Sequence, residues 1–339
     1  MKIGKIPETV LKRSVFKQIK HRRDEVLICP GVGRDCTAIE SDKEEAIVIS
    51  TDPITGTTAN MGALSVHITA NDIAVSGAEV IGIMLTILLP DGFRESELRK
   101  MMQDIEEVCL TLNIEVMGGH TEITSAVNQP VISVTGFGKI AKNDLLAMNR
   151  MKPGQEIVMT KWAGLEGTAV IAKEREEELK EKYPKEFIES AIGFMDDISI
   201  VPEAKIGKEV GVTSMHDATE GGIYGALWEM AESSGVGLTV DLNKILMKQQ
   251  TIEICEYYNI NPYLLISSGC LLMSTDKGND LVDALKDANI SAAIIGKVTS
   301  GNDRVIINAD EKRYLEPPKS DELYKVKLHS GVVTTTSES

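Results

Sequence analysis

Strand-like and helix-like patterns of apolar residues alternate along the chain. Residues 45–51 form a β-branched apolar run, and the stretch 80–90 has the composition of a buried strand. Between residues 96 and 112, apolar side chains recur at helical spacing, at Leu98, Met102, Ile105, Cys109 and Leu112. Further strand-like runs follow at 113–119 and 130–140. This alternation predicts an α/β fold.

The pattern breaks once, near residues 145–156. Pro153 and Gly154 interrupt it there, and the alternation then restarts with a new apolar run. We therefore predict two domains, comprising residues 1–150 and 151–328. Residues 329–339 have low complexity and no periodicity, which predicts a disordered tail.

Composition restricts the class of partner and the compartment. The formal net charge of −15 on 339 residues argues against nucleic acid or an anionic membrane as the main partner. The longest apolar stretch has roughly half of the ~20 residues needed to span a bilayer. The 5 cysteines form no C-x-x-C pair, and no basic-then-apolar leader is present. We therefore expect a cytoplasmic protein.

Three aspartates in the first quarter of the chain adjoin apolar or glycine-rich segments instead of charged runs. They are Asp35 in 31–39, Asp52 in 45–56 and Asp72 in 68–79. A carboxylate held against a core is costly without a partner. Three of them together suggest a shared cation, and we predict a magnesium–phosphate site.

Two glycine-rich segments are candidates for binding phosphate. Gly31 and Gly33 precede Asp35 without the Gly-Lys-Ser/Thr ending of a Walker loop, and an ordinary surface turn explains them equally well. The second segment has backbone amides and a hydroxyl for phosphate oxygens and an imidazole for acid, base or positioning roles, in Gly118, Gly119, His120 and Thr121. A tight turn is the alternative for these residues.

Polar residues in two further segments lack a simple core role. Asp52 is expected to project beyond the carboxyl end of its strand, where ligands bind in open α/β sheets, or else to cap a helix. Asn71 and Asp72 lie among apolar residues of a predicted helix over 61–79. On the same helix, His67 is more typical of a core histidine.

In the second half of the chain, His216 and Asp217 precede Gly221 and Gly222 and then a helix-like stretch. A helix N-terminus favours an anion or a metal–phosphate. Asp217 as a plain helix cap is the alternative.

Taken in order, these five segments resemble the superfamily related to aminoimidazole ribonucleotide (AIR) synthetase, and within it the HypE branch of hydrogenase maturation proteins. The resemblance covers roughly residues 1–310. It implies a two-domain PurM-like fold whose N-terminal sheets pair into a barrel across a homodimer, with ATP and Mg²⁺ in the adjoining cleft. By resemblance the metal ligands are Asp35, Asp52, Asp72 and Asp217. The residues expected at the nucleotide are Gly31, Gly33, Asp35, Asp52, Asn71, Gly118, Gly119, Thr121, Gly221 and Gly222, and the candidate catalytic residues are His120, Asn71 and His216.

The resemblance implies an ATP- and Mg²⁺-dependent enzyme that transfers the ATP phosphoryl group to an amide, a carbonyl or another small or protein-carried acceptor. Two departures keep alternatives open. Arg34 replaces an acid of the family's Gly-Asp-Asp segment, and the chain ends in Thr-Ser-Glu-Ser, where HypE has a terminal cysteine. One alternative is HypE chemistry with a thiol supplied in trans; the other is a non-catalytic nucleotide-binding dimer. A thiamine-monophosphate kinase is disfavoured, because the segments at 118–122 and 215–222 look like HypE.

Overall fold

The computed structural model describes residues 8–19, 23–34, 36–42, 44–55, 60–317 and 320–326. Asp35 and the predicted tail 329–339 lie outside the described residues. The structure is a mixed α/β fold built on two sheets. None of its described helices is both long enough and apolar enough to cross a membrane.

The first sheet has five strands in the order β1-β2-β5-β3-β4, in which β3 and β4 are parallel and the other neighbours are antiparallel. The strands are β1 (Cys36–Glu40), β2 (Glu45–Ile54), β3 (Glu79–Leu89), β4 (Glu115–Ile123) and β5 (Val131–Ala141). Three helices belong to this half of the chain: α1 (Glu8–Val10), α2 (Met61–Ala74) and α3 (Glu95–Leu112). A π-helical turn (Leu11–Val15) and a 3-10 turn (Phe16–Gln18) follow α1.

The second sheet has seven strands in the order β12-β11-β8-β10-β6-β9-β7. They are β6 (Glu156–Thr160), β7 (Ser214–Asp217), β8 (Gly237–Asp241), β9 (Leu271–Thr275), β10 (Ala292–Thr299), β11 (Arg304–Asn308) and β12 (Glu311–Tyr314). Its helices are α4 (Leu165–Glu174), α5 (Glu176–Leu179), α6 (Lys185–Ile192), α7 (Val201–Val210), α8 (Gly222–Ser234), α9 (Gln249–Tyr257) and α10 (Gly278–Asp287). Short 3-10 turns lie at Lys142–Asp144, Met148–Arg150, Gly193–Asp197, Leu242–Lys244, Pro262–Leu264 and Glu322–Lys325.

Side chains that alternate along a strand point to opposite faces of the sheet and pack into different hydrophobic clusters. In the first sheet, Ile83 of β3 and Ile132 of β5 share a cluster with Ile73 of α2 and Ile105 of α3. In the second sheet, Val158 of β6 faces the cluster of α7 and α10, whereas its neighbours in the strand face the cluster of α8. This two-residue period is the pleat of a strand that is covered on both faces.

Helix α2 connects the two halves of the molecule. Its middle packs on the first sheet, while Ala74 at its end and Val75 after it share a cluster with Ile200 and Ala204 of the second half. Because partners surround it, α2 is buried almost all round and rich in small side chains. The polar residues of α2 are therefore enclosed between two layers of protein.

Three local expectations need correction. The helix predicted over 61–79 ends at Ala74, and a turn with left-handed Gly77 (φ 78°) follows it. Strand β2 continues through Asp52 and Pro53 to Ile54 instead of ending in a loop. Gly118 and Gly119 lie within β4, where they pair with β3, and not in a turn after it.

Candidate functional site

Asp72 is a buried carboxylate at the junction of α2 and β2. The Ser50 hydroxyl of β2 donates a hydrogen bond of 2.6 Å to Asp72 Oδ2. Because side chains two apart in a strand share a face, the half-buried Asp52 lies on the same face of β2 as Ser50. The structure thus brings two of the predicted metal ligands, Asp52 and Asp72, to the same side of the first sheet.

Asn71 fastens α2 to the second half of the chain. Its Nδ2 donates to the carbonyl oxygen of Ile198 at 2.9 Å, and its Oδ1 accepts from the backbone N–H of Ile200 at 2.9 Å. Both ends of this fully buried amide are therefore occupied by backbone partners. This geometry fixes the position of Asp72, the next residue.

The glycine segment before Asp35 reaches the second half of the chain. Gly33 has φ 62°, and a Cβ built on it would lie 2.8 Å from the Met148 sulfur and 3.2 Å from Glu229 Cβ. Only glycine fits this conformation and this spacing without strain. The guanidinium of Arg34 folds back on its own loop, where Nη1 donates to the Cys29 carbonyl oxygen at 2.9 Å.

His216 and Asp217 end strand β7, and both are buried. His216 Nε2 lies 2.9 Å from Glu229 Oε2 on α8, and His216 Nδ1 lies 3.8 Å from Asp217 Oδ1. Glu229 is also the residue against which Gly33 packs. The first and the fifth predicted segments therefore meet at Glu229. The sequence does not predict this residue, because it lies on α8 about two helical turns beyond the glycines.

Lys161 is a second residue without a short sequence signature. It follows β6 and donates to the carbonyl oxygens of Asp197 and Ser199, and its ammonium lies 2.7 Å from Glu203 Oε1. Burial raises the pKa of the Glu203 carboxyl, and Lys161 opposes that rise. Lys161 and Asn71 thus both bind the backbone of the segment 197–200.

Strand β4 carries the fourth predicted segment on an exposed edge of the first sheet. Gly118, Gly119, His120 and Thr121 are all exposed, and His120 Nε2 lies 3.1 Å from Glu122 Oε2. A Cβ on Gly119 would lie 2.0 Å from the Leu85 carbonyl oxygen, so the close pairing with β3 requires glycine there.

Gly221 and Gly222 begin helix α8, as predicted. The backbone N–H of Gly221 donates a 2.7 Å hydrogen bond to Asp321 Oδ2. Nearby, the Glu166 carboxyl in the first turn of α4 is buried. The sequence does not predict Asp321 or Glu166 near Gly221, since nothing local relates either residue to a glycine more than fifty residues away.

The described side chains alone do not complete a metal site. No three of their His, Cys, Asp or Glu groups lie close enough together to hold a metal ion. Asp35, the fourth predicted carboxylate ligand, is not among the described residues. The candidate site residues that the structure describes form two groups: Asp52 and Asp72 near Ser50, and His216 and Asp217 near Glu229.

Comparison with known proteins identifies the family. The model of the N-terminal domain of AIR synthase related proteins matches residues 33–140, and that of the C-terminal domain matches residues 152–308. A putative hydrogenase expression/formation protein of Methanocaldococcus jannaschii is 25% identical over 95% of this chain and 97% of its own length. The carbamoyl dehydratase HypE of Azotobacter vinelandii is 23% identical over 90% of this chain and 87% of its own length.

A solved structure has the same fold. The crystal structure of the hydrogenase maturation protein HypE in complex with ATP superposes with a TM-score of 0.71 at 18% identity, over 93% of this chain and 95% of that one. The two family models together cover most of the chain, and they follow each other in the order of the two sheets. The chain is therefore a HypE-like member of the AIR synthase related protein family.

Proposed function

We propose that the chain is an ATP- and Mg²⁺-dependent enzyme that transfers the ATP phosphoryl group to an amide- or carbonyl-type acceptor, as a HypE-like protein. The observation that carries this proposal is the buried Asp72 carboxylate, held by Ser50 at 2.6 Å on the same side of the sheet as Asp52. Burying a carboxylate costs free energy unless a cation or hydrogen bonds offset it. A divalent cation that bridges nucleotide phosphates fits this donor set.

In this proposal, residues 1–150 form the nucleotide-binding and dimerisation domain and residues 151–328 form the second domain. Asp52 and Asp72 hold magnesium, with Asp35 and Asp217 as further ligands by resemblance. Bound magnesium would neutralise charge on the triphosphate. The backbone of Gly31 and Gly33 approaches the phosphates, together with Gly118, Gly119, Thr121, Gly221 and Gly222. Asn71 is fully buried and bonded at both ends, so its predicted role at the nucleotide is indirect.

The chain's own residues supply proton and positioning chemistry. His216 and Glu229 share a short buried contact of 2.9 Å, which suits them to hold one proton between them. Asn71 positions Asp72 through its bonds to Ile198 and Ile200. We propose that His120 acts at the nucleotide once a second copy of the chain covers the exposed face of β4.

A homodimer is the second part of the proposal. In the described residues, the face of the first sheet opposite α2 carries half-exposed apolar side chains, and Ile81 and Met84 of β3 are 37% and 44% exposed. Strand β4 lies at the sheet edge with most side chains exposed. An apolar face next to an open edge is typical of an interface.

The dimer is tested by sedimentation of Met84→Glu against Leu110→Glu. Leu110 is 72% exposed but lies on α3, away from this face. We expect Met84→Glu to sediment as a monomer and Leu110→Glu to match the parent dimer. A monomeric parent chain, or a dimeric Met84→Glu, would contradict the proposed interface.

The nucleotide site is tested by calorimetry of Mg²⁺-dependent ATP binding. We expect Asp72→Asn to weaken binding by at least tenfold while the fold, followed by circular dichroism, is kept. Asp283→Asn, an exposed aspartate on α10, is the matched control and should bind like the parent. Equal binding by parent and Asp72→Asn would refute the site assignment.

A second candidate is carbamoyl dehydration with a thiol supplied by a partner protein. Three of the five cysteines are buried, and burial raises the pKa of Cys109 to about 11 and that of Cys255 to about 12. These thiols are poor nucleophiles. The test mixes the chain with ATP, a carbamoyl donor and candidate thiol proteins and follows the carbamoyl group by mass spectrometry; carbamoylation of the chain itself would exclude the trans version.

The non-catalytic alternative is decided by product analysis. ADP release that depends on an added amide or carbonyl acceptor would exclude a purely regulatory nucleotide-binding dimer. ATP binding without ADP release against a broad acceptor panel would favour it. We also propose a cytoplasmic location, which free thiols favour.

A further inference from the structure

Arg34 is a partly buried arginine without a carboxylate partner in the part of the chain that the structure describes. Three of the described arginines are partly buried: Arg34, Arg175 and Arg304. The guanidinium of Arg304 lies 2.7 Å from a glutamate of α8, and that of Arg175 lies 3.6 Å from a glutamate of α5. Among the described residues, the guanidinium of Arg34 bonds only to the Cys29 carbonyl oxygen, through Nη1. Its other N–H groups can therefore bind the acceptor atoms of a ligand.

The loop itself holds the Arg34 side chain in place. A Cβ built on Gly31 would lie 3.0 Å from Arg34 Cδ, 3.1 Å from Nε and 3.4 Å from Cζ, so the guanidinium packs against the Gly31 backbone. The backbone N–H of Arg34 donates to the Gly31 carbonyl oxygen at 3.3 Å, which closes the turn 31–34. Together with the bond to Cys29, these contacts fix the guanidinium before a ligand arrives. A donor that is fixed in advance loses less conformational entropy on binding.

Arg34 lines a cavity of about 180 Å³ beneath this loop. Its walls are mainly apolar and include Leu27 before the loop, Val75 after α2, Met148 before β6 and Met215 of β7. Arg34 carries the only formal charge among the described lining residues. The cavity has room for a group of several non-hydrogen atoms, since a water molecule occupies about 30 Å³ in the liquid. An anionic group suits it, because a cation would be repelled by the guanidinium.

The cavity lies at the same end of the first sheet as the buried carboxylate of Asp72. Cys36, another lining residue, pairs with Ser50 across β1 and β2, and the Ser50 hydroxyl holds Asp72. Gly33, with left-handed φ, also lines the cavity next to Arg34. An anion bound at Arg34 would therefore lie beside the loop and the carboxylate that are proposed above for the nucleotide.

We propose that Arg34 binds a phosphate group in this cavity, through the N–H groups that the bond to Cys29 leaves open. A guanidinium matches the charge and the several acceptor oxygens of a phosphate, and the adjoining glycines let backbone N–H groups approach the same oxygens. This inference rests on the proposed function, in which the loop receives a nucleotide. The phosphate belongs either to that nucleotide or to an acceptor that already carries one.

The test is calorimetry of Arg34→Gln with four probes: Mg²⁺–ATP, inorganic triphosphate, adenosine and inorganic phosphate. If the nucleotide supplies the phosphate, Arg34→Gln should weaken binding of ATP and triphosphate by about tenfold or more and leave adenosine unchanged. If the acceptor supplies it, ATP binding should be unchanged, and the loss should appear in the binding of inorganic phosphate to the ATP-saturated chain. Arg150→Gln, at an exposed arginine that does not line the cavity, is the matched control and should bind every probe like the parent.

Gly31→Ala is a second, independent variant. Its Cβ would displace the guanidinium, so it should weaken the same probes as Arg34→Gln and have no further effect in the Arg34→Gln background. Gly193→Ala, where a Cβ meets open space, should bind like the parent. If Arg34→Gln does not fold, as judged by circular dichroism, Gly31→Ala alone decides.

The outcomes separate this inference from the proposed function. Unchanged binding of all three anionic probes in the folded variants, or an equal loss for adenosine, would overturn the role of Arg34. A parent chain that binds inorganic phosphate through Arg34 but does not bind ATP would contradict only the proposed function. A parent chain that binds none of the three anions would contradict both.

Discussion

At the scale of single residues, Glu166 is the clearest case of an environment that changes the chemistry of a side chain. Burial raises its pKa from 4.5 to about 7, and Asp321 and Glu220 raise it further while Ser268 opposes them. The folded protein keeps this proton up to about pH 7, whereas the unfolded chain releases it near pH 4.5. The folded state is therefore favoured below pH 4.5, and this advantage is lost as the pH rises to 7.

We predict that Glu166→Gln flattens the pH dependence of stability. In the parent chain, the free energy of unfolding should fall by on the order of 3 kcal/mol between pH 5 and pH 8, because the shift of the Glu166 pKa is linked to folding. Asp321 contributes in the same direction, so a part of the slope should remain. Urea unfolding at several pH values measures this. Glu106→Gln, an exposed residue of α3, should keep the parent slope, and an unchanged slope in Glu166→Gln would contradict the assigned environment.

Asn71 illustrates a buried amide whose two ends serve two parts of the protein. We predict that Asn71→Ala lowers the free energy of unfolding by about 2–4 kcal/mol, because it leaves the Ile198 carbonyl and the Ile200 N–H buried without their partner. Chemical denaturation measures the change. Asn279→Ala on exposed α10 is the control and should stay within about 0.5 kcal/mol of the parent. If Asn71→Ala lowers the free energy of unfolding no more than Asn279→Ala does, the two hydrogen bonds of Asn71 do not stabilise the fold.

At the scale of elements, strand β4 offers a matched pair of glycines. Gly118 and Gly119 have nearly equal φ angles, of 151° and 154°, but a Cβ on Gly118 meets open space whereas one on Gly119 lies 2.0 Å from the Leu85 carbonyl. We predict that Gly119→Ala separates β4 from β3 and costs about 2 kcal/mol more than Gly118→Ala. Hydrogen exchange of the β4 amides measures the separation. Equal protection in the two variants would contradict the observed register.

The sequence predicts those helices and strands in which apolar residues recur at a regular spacing over many residues. Strand β3 and helix α3 agree with their predicted ranges to within one residue, because apolar spacing decides them. Pro53 and Gly118 favour the wrong prediction of a loop or turn, because proline and glycine are common in turns, whereas both residues lie within strands. In the part of the chain that the structure describes, the pairing of β1 with β2 ends at Ser50, so Pro53 occupies an edge position where a strand tolerates it. Whether a glycine lies in a turn or in a tight strand pair depends on a neighbour more than thirty residues away.

At the scale of the whole molecule, the site depends on contacts between distant segments. The sequence predicts Asp52, Asp72, His216 and Asp217 as site residues, because carboxylates and imidazoles beside apolar runs are conspicuous, and their roles stay predictions. It does not identify Glu229, Lys161 or Glu166, whose neighbours follow only from the packing of helices on two sheets. The family resemblance rests on the five sequence motifs. Glu229, Lys161 and Glu166 lie outside these motifs, so only the fold shows what they contact.

The contact of Gly33 with Glu229 predicts that nucleotide binding depends on the junction between the two halves. Gly33→Ala places a Cβ against Met148 and Glu229, whereas Gly301→Ala introduces a similar positive-φ strain (86°) in open space. If ATP binds between the loop 31–34 and α2, saturating Mg²⁺–ATP should raise the stability of the parent and of Gly301→Ala by about 2–3 kcal/mol at 100 times the dissociation constant. Gly33→Ala should lose most of this gain, because the loop can no longer close on α8. Thermal unfolding with and without Mg²⁺–ATP measures the gain, and an equal gain in both variants would place the nucleotide away from this junction.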